Sequence, residues 1–338
     1  MDVTSGRPAR AGSVGTAVRV RERRAVTDVL VASVLFGGCN IAWRFGSGPV
    51  LGIVGYRVGF GALIAVGLAR WRGGGSWLGP LRVRSGRLAV VVTIAGLLAA
   101  ATMFRTLDGP LAGLALACTP AVALLVRDRS GRAAVAAALG SSTAAIVGLT
   151  VAAGDGGVDS VTWTGAIVAV VFIAIEIVSL RASEIAVEDG VDPMAIVSAT
   201  MIGGTILLLP LSLAHGVVDG PSVIVGAIGA AVVIAVFGTI GRVLRTAALP
   251  AAGVTATAAS SQLNALVTAV GGVVLFSDHI TAVSVVCTTI AALLGAVAVV
   301  AAARWRLGRD PELGEALDAH RPRAATDPDP EEVRHADA

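Results

Sequence analysis

The sequence predicts an all-α integral membrane protein of ten transmembrane helices, arranged as two inverted five-helix repeats. Three observations lead there. Of the 338 residues, 55% are hydrophobic and only 14% charged, and the mean hydropathy is +0.82. Soluble domains carry roughly 25% charged residues, so this chain has too few to cover a water-facing surface. Apolar runs of the length that a bilayer core about 30 Å thick demands, on the order of 20 residues, recur along most of the chain. Finally, residues 105–113, Arg-Thr-Leu-Asp-Gly-Pro-Leu-Ala-Gly, return at 245–253 as Arg-Thr-Ala-Ala-Leu-Pro-Ala-Ala-Gly, with Arg, Thr, Pro, Ala and Gly in register. Duplicated halves are a common construction plan in membrane proteins that move solutes.

Taken in order, residues 1–26 are Arg- and Gly-rich and read as a disordered basic tail. They lack a short apolar core ending in Ala-x-Ala, so no cleaved signal peptide is expected. The first half, 27–152, holds spans near 27–45, 49–69, 87–106, 110–126 and 132–152. Gly46-Ser47-Gly48-Pro49 and Asp108-Gly109-Pro110 make tight links between antiparallel neighbours. Residues 153–160 form a linker, and the second half, 161–303, holds spans near 161–180, 193–213, 222–244, 250–274 and 281–303. Residues 304–338, rich in Pro, Asp, Glu and Arg, read as a second disordered tail.

Arginine placement sets the orientation. With the N-terminus inside, the inner side collects Arg19, Arg21, Arg23 and Arg24, then Arg70, Arg72, Arg82, Arg84 and Arg87, and later Arg181, Arg242, Arg245, Arg304, Arg306 and Arg309. Only Arg44 and Arg105 fall outside. The positive-inside rule then puts both termini in the cytoplasm of a multi-pass protein of the inner (plasma) membrane. Five spans per half make the second half enter from the opposite side, so the repeat is inverted. Arg105 and Arg245 become mirror-related gate or turn residues at opposite mouths.

Polar residues inside the spans carry the candidate chemistry. Aligning Phe36 with Phe172 sets Asn40 opposite Glu176. An intramembrane carboxylate is costly unless protonated, paired or facing water. Glu176 is therefore a candidate for proton coupling or for a cationic group of a substrate; an ion pair with Arg181, about one turn away, is the structural alternative. Arg57 lies mid-span and cannot lose its proton, so it needs a carboxylate such as Glu176, helix carbonyls or water. Thr257, Ser261, Asn264 and Thr268 share one helical face, which either lines a substrate path or bonds neighbouring helices. Trp43 and Arg44 form a candidate outer gate, the tryptophan having the alternative of an interfacial anchor.

Other features point away from chemistry. Cys39, Cys118 and Cys287 lie singly in apolar runs and build neither a disulfide framework nor a metal knuckle. Asp278-His279 has no second ligand cluster at suitable spacing. No nucleophile elbow, zinc-protease helix or Walker loop is present. The chain is expected to be no enzyme, to hold no metal or cofactor and to bind no nucleic acid, its basic excess being a topology signal. Its expected partners are the bilayer, a small-molecule substrate and, through Glu176, protons.

From residue 27 to 303 the chain resembles the drug/metabolite transporter superfamily, in its EamA-type branch of ten-helix transporters. Phe36-Gly37-Gly38-Cys39-Asn40 is similar to that family's first-span Trp-Gly-x-Asn, with Phe for Trp and one extra residue. Pro49, Arg57, Gly61 and Ala62 follow its second span, and Thr119-Pro120-Ala121-Val122 its Ser-Pro-Val-like step. Its Leu-Gly-Glu endings of spans four and nine are replaced here by Val126-Arg127-Asp128-Arg129 and Phe276-Ser277-Asp278. The resemblance implies alternating access around a central cavity, with export of small metabolites, amino acids or drugs. The competing expectation is an intramembrane lipid-handling protein, a flippase or enzyme, using Arg57 and Arg105 on a headgroup.

Overall fold

Long apolar runs without the two-residue alternation of strands fold into helices, since only a helix satisfies its own backbone in lipid. The computed structural model describes residues 11–46, 50–71, 76–106, 109–125, 131–156, 163–219, 221–276 and 281–309, with no strand among them. They form α1 (Ala11–Phe45), α2 (Val50–Trp71), the one-turn α3 (Gly79–Arg82), α4 (Arg84–Thr106), α5 (Gly109–Ala123) and α6 (Arg132–Gly156). After these come α7 (Trp163–Glu188), α8 (Pro193–Asp219), α9 (Pro221–Ala252), α10 (Val254–Ala259), α11 (Ser261–Phe276) and α12 (Ala282–Arg309).

Seven stretches are long and apolar enough to cross a membrane, in α1, α2, α4, α8, α9, the α10–α11 pair and α12. Large apolar side chains face outward: Leu63, Val91, Ile167, Val170, Val225 and Val274 are each more than half exposed. Such a surface suits hydrocarbon and would be an aggregation hazard in water. Helical throughout its described residues apart from short connections, the chain is a multi-pass membrane protein.

Several boundaries differ from the sequence reading. Helix α1 begins at Ala11 rather than near 27, so Arg19 to Arg24 continue the helix. Helix α12 likewise runs on to Arg309, with Arg306 and Leu307 buried. Helix α9 continues past 244 to Ala252. The expected ninth span, 250–274, is interrupted twice. Gly253 has φ +81°, a left-handed conformation that favours glycine, and a Cβ there would lie 2.8 Å from the Arg306 guanidinium. A second break at Ser260 separates α10 from α11.

The interior is built from small residues. Alanine predominates among the buried side chains, and glycines let helices approach closely, as expected for packing in lipid. A Cβ on Gly37 would meet Val267 of α11 at 2.6 Å, and one on Gly38 would meet Phe237 of α9 at 2.7 Å. Helix α1 is thereby wedged between α9 and α11.

The packing has a regular order. Helix α2 packs on α8, α6 on α12, α5 on α10 and α11, α1 on α9, and α4 on α7. Set α3 aside, count α10–α11 as one span, and compare the chain before residue 157 with the chain after 162. Second then meets second, fourth meets fourth, fifth meets fifth, and first-with-third is matched by third-with-first. Exchanging the halves maps these pairings onto one another.

Candidate functional site

Eight of the residues singled out in the sequence line one interior cavity of about 90 Å³. Asn40, Trp43, Arg57, Glu176, Arg245, Thr257, Ser261 and Asn264 all line it, together with Arg242, Ser33, Phe36, Cys39, Thr119 and Phe172. From Ser33 to Trp43 the α1 wall spans about 15 Å at the helical rise.

The electrostatic centre is a charge cluster on three helices. Arg245 Nη1 of α9 lies 2.7 Å from Glu176 Oε1 of α7, and its guanidinium stacks 4.7 Å from the Phe36 ring centroid. Arg242, three residues earlier, shares that face of α9. Its Nε is buried and meets no hydrogen-bond partner. Arg57 of α2, 5% exposed, enters from the other side, close to Gly238 of α9; a Cβ at Gly238 would stand 2.9 Å from its Nη2. Among the described residues Arg57 has no ion pair, and Glu176 belongs to Arg245. Three guanidinium charges against one carboxylate leave the cavity two positive charges in excess.

Neutral polar groups form the remaining walls. Asn40 Nδ2 donates to Asn264 Oδ1 at 2.8 Å and to Thr268 Oγ1 at 3.3 Å, tying α1 to α11. Ser33 donates to Ser260 at 2.9 Å, so the α10–α11 break also rests on α1. Within the Thr257, Ser261, Asn264, Thr268 face, the two asparagine-side members serve helix bonding, whereas the Thr257 and Ser261 hydroxyls have no partner and line the cavity.

The sequence expectations for the gate residues change in position. Arg245 is no turn residue at a mouth: it lies within α9, held by Glu176 and Phe36, because the helix continues to Ala252. Trp43 is 6% exposed and lines the cavity instead of anchoring at an interface. Arg44 is exposed, with its guanidinium 4.0 Å from the Phe276 ring centroid, joining the ends of α1 and α11. Arg105 falls in the last turn of α4, and its side chain lies outside the described residues, as do Asp278 and His279. Glu176 pairs with Arg245 and not with Arg181, which binds Glu184.

Sequence reasoning missed Arg242, which it assigned to the inner margin. Arg242 and Arg245 stand three apart inside an apolar run that extends to Pro250; reading 221–252 as one helix would have drawn both inward. It also missed a second buried network. Arg306 Nη1 of α12 donates to Glu184 Oε1 of α7 at 2.6 Å and to the Pro250 carbonyl at 3.0 Å. Glu184 is fully buried and also receives Arg181. This network sits at the α9–α10 junction, outside the cavity lining.

Among the described residues, no cluster of three His, Cys, Asp or Glu has metal-binding geometry, and the three cysteines are free. No protein-family model matches the chain, and no curated protein does. Thirteen chains of known structure match. One, described as "Crystal structure of protein", overlays with a TM-score of 0.57 across 81% of this chain and 96% of its own, at 16% identity. That likeness concerns the fold alone.

Proposed function

We propose that this chain is a transmembrane transporter, secondary-active or facilitative, that moves small metabolites, amino acids or drugs by alternating access, with export as its direction. The observation that carries the reading is the charged, polar cavity enclosed by eight helices of an apolar-surfaced bundle. Ionisable residues inside a membrane bundle mark solute or ion pathways by default. Here they also converge on one space.

In this reading α5, α6 and α7 complete ten spans. Helix α7 is long enough but carries Glu176, Arg181, Glu184 and Glu188; α5 has only 15 residues. The exchange-invariant packing of the two halves supports two inverted five-helix repeats, and with the first-span and second-span motifs it supports an EamA-type assignment. The arginine distribution supports a plasma-membrane location with both termini in the cytoplasm.

The test is solute flux into liposomes containing the purified protein. Transport should be saturable, and Glu176→Gln should abolish any dependence on a pH gradient. Equal, gradient-independent flux by both forms would remove proton coupling; absence of flux for every class of small solute would sink transport. A lipid-handling role is favoured instead if fluorescent phospholipid moves between leaflets in an Arg57-dependent way.

A further inference from the structure

We infer that the cavity recognises a small organic anion through its oxyanion group, with Arg57 and Arg242 as the binding pair. This deepens the transport reading and rests on it for its physiological meaning, but the binding site stands on separate observations. The first is charge: two guanidinium groups in excess inside a membrane protein are costly, and arginine cannot shed its proton to escape. A counter-anion removes that cost. The second is orphaned donors: the Arg242 Nε and the Thr257 and Ser261 hydroxyls are buried without partners, and all three residues face the same space.

Guanidinium forks match carboxylate and phosphate oxygens, and charge-assisted bonds of this kind are among the strongest available. The carboxylate of Glu176 is already engaged by Arg245 at 2.7 Å. It therefore leaves Arg57 and Arg242 for the incoming group. Volume sets the size. About 90 Å³ holds on the order of half a dozen water-sized bodies, which suits a short carboxylate or a phosphate. A drug-sized molecule needs roughly 300 Å³ or more. Phe36 and Phe172 supply apolar wall for a short carbon chain.

The test uses the full chain in a neutral detergent. Thermal unfolding is followed while succinate, inorganic phosphate, choline or glucose is added at constant ionic strength. A ligand that binds only the folded state raises the midpoint with concentration. Succinate or phosphate is expected to do so saturably, and choline and glucose are not. Arg242→Gln removes like charge and breaks no hydrogen bond at Nε, so it should fold with an unchanged or higher midpoint while weakening the anion effect at least tenfold. Arg57→Gln should weaken it to a similar degree.

Stabilisation by choline or glucose alone, no stabilisation by either anion, or anion stabilisation that persists unchanged in both variants would overturn the inference. Short-chain phosphatidylglycerol acting in place of succinate, with the same loss in both variants, assigns the oxyanion to a lipid headgroup and keeps the site. Flux distinguishes the two levels of the reading. Anion binding without flux keeps the site and removes transport; flux of a cation or neutral solute without anion binding keeps transport and removes the anion.

Discussion

Glu176 and Arg245 meet at 2.7 Å on facing turns of α7 and α9, and Glu176 is the single carboxylate in a cluster that is otherwise wholly cationic. Removing the carboxylate leaves three guanidinium groups around one cavity. Glu176→Gln is expected to cost about 3 kcal/mol, in the range for breaking one side of a buried pair, when unfolding is measured in micelles. Arg245→Gln should cost less, because it also relieves repulsion from Arg242. The double variant should fall short of the sum of the two, as coupled neighbours do; strict additivity would show that the pair contributes nothing.

Gly253→Ala places a side chain in a left-handed conformation, at about 1–2 kcal/mol for an L-residue, and also presses on Arg306. Loss of stability by at least that amount is expected. The contrasting substitution Gly67→Ala meets nothing within 4 Å and should leave the unfolding midpoint unchanged.

Glu184→Gln removes the carboxylate charge that Arg306, 7% exposed, meets at 2.6 Å beside the Pro250 carbonyl. Hydrogen exchange should then rise around residues 248–256 before it rises in α2 or α8. Uniform exchange across the chain would mean that the network does not hold this junction.

Gly38→Val should prevent α1 from seating against Phe237 of α9, and folded yield should collapse. Partial rescue by Phe237→Ala, which clears the ring that a Cβ on Gly38 would strike at 2.7 Å, would identify the cause as steric.

Asn40→Ala and Asn264→Ala each remove the 2.8 Å bond between α1 and α11. A coupling of about 0.6–1.7 kcal/mol is expected from a double-mutant cycle, the span seen for interhelical bonds in membranes.

Helix content and the membrane setting were legible because composition and run length report them directly. The polar residues that line the cavity were legible for the same reason: Asn40, Arg57, Glu176 and Asn264 stand out in apolar runs, and hydrocarbon forces such residues inward. The interior position of Arg242 and Arg245 was hidden because arginines that follow a long apolar run ordinarily mark the membrane edge. Only the continuation of α9 through Pro250 brings them inside. The partner of Glu176 was not legible either. Arg181 is near in sequence, but a contact between α7 and α9 depends on packing that no local pattern encodes.

The hydrogen bonds and ion pairs are distributed unevenly. Charged ties brace α7, α9 and α12 to one another through Glu176–Arg245 and Glu184–Arg306. The junctions between earlier and later parts of the chain rely largely on neutral bonds: Ser33 to Ser260, Asn40 to Asn264 and Thr268, Thr93 with Ser179, and Ser212 to the Gly52 carbonyl. Arg304 with Glu22 adds an exposed charged one. Neutral bonds of this kind exchange partners at small cost, whereas stranding a buried charge does not. The molecule thus has a stiff frame in its later helices and a seam of mostly replaceable fasteners where α1, α2 and α4 meet them, and a change of shape would follow the seam.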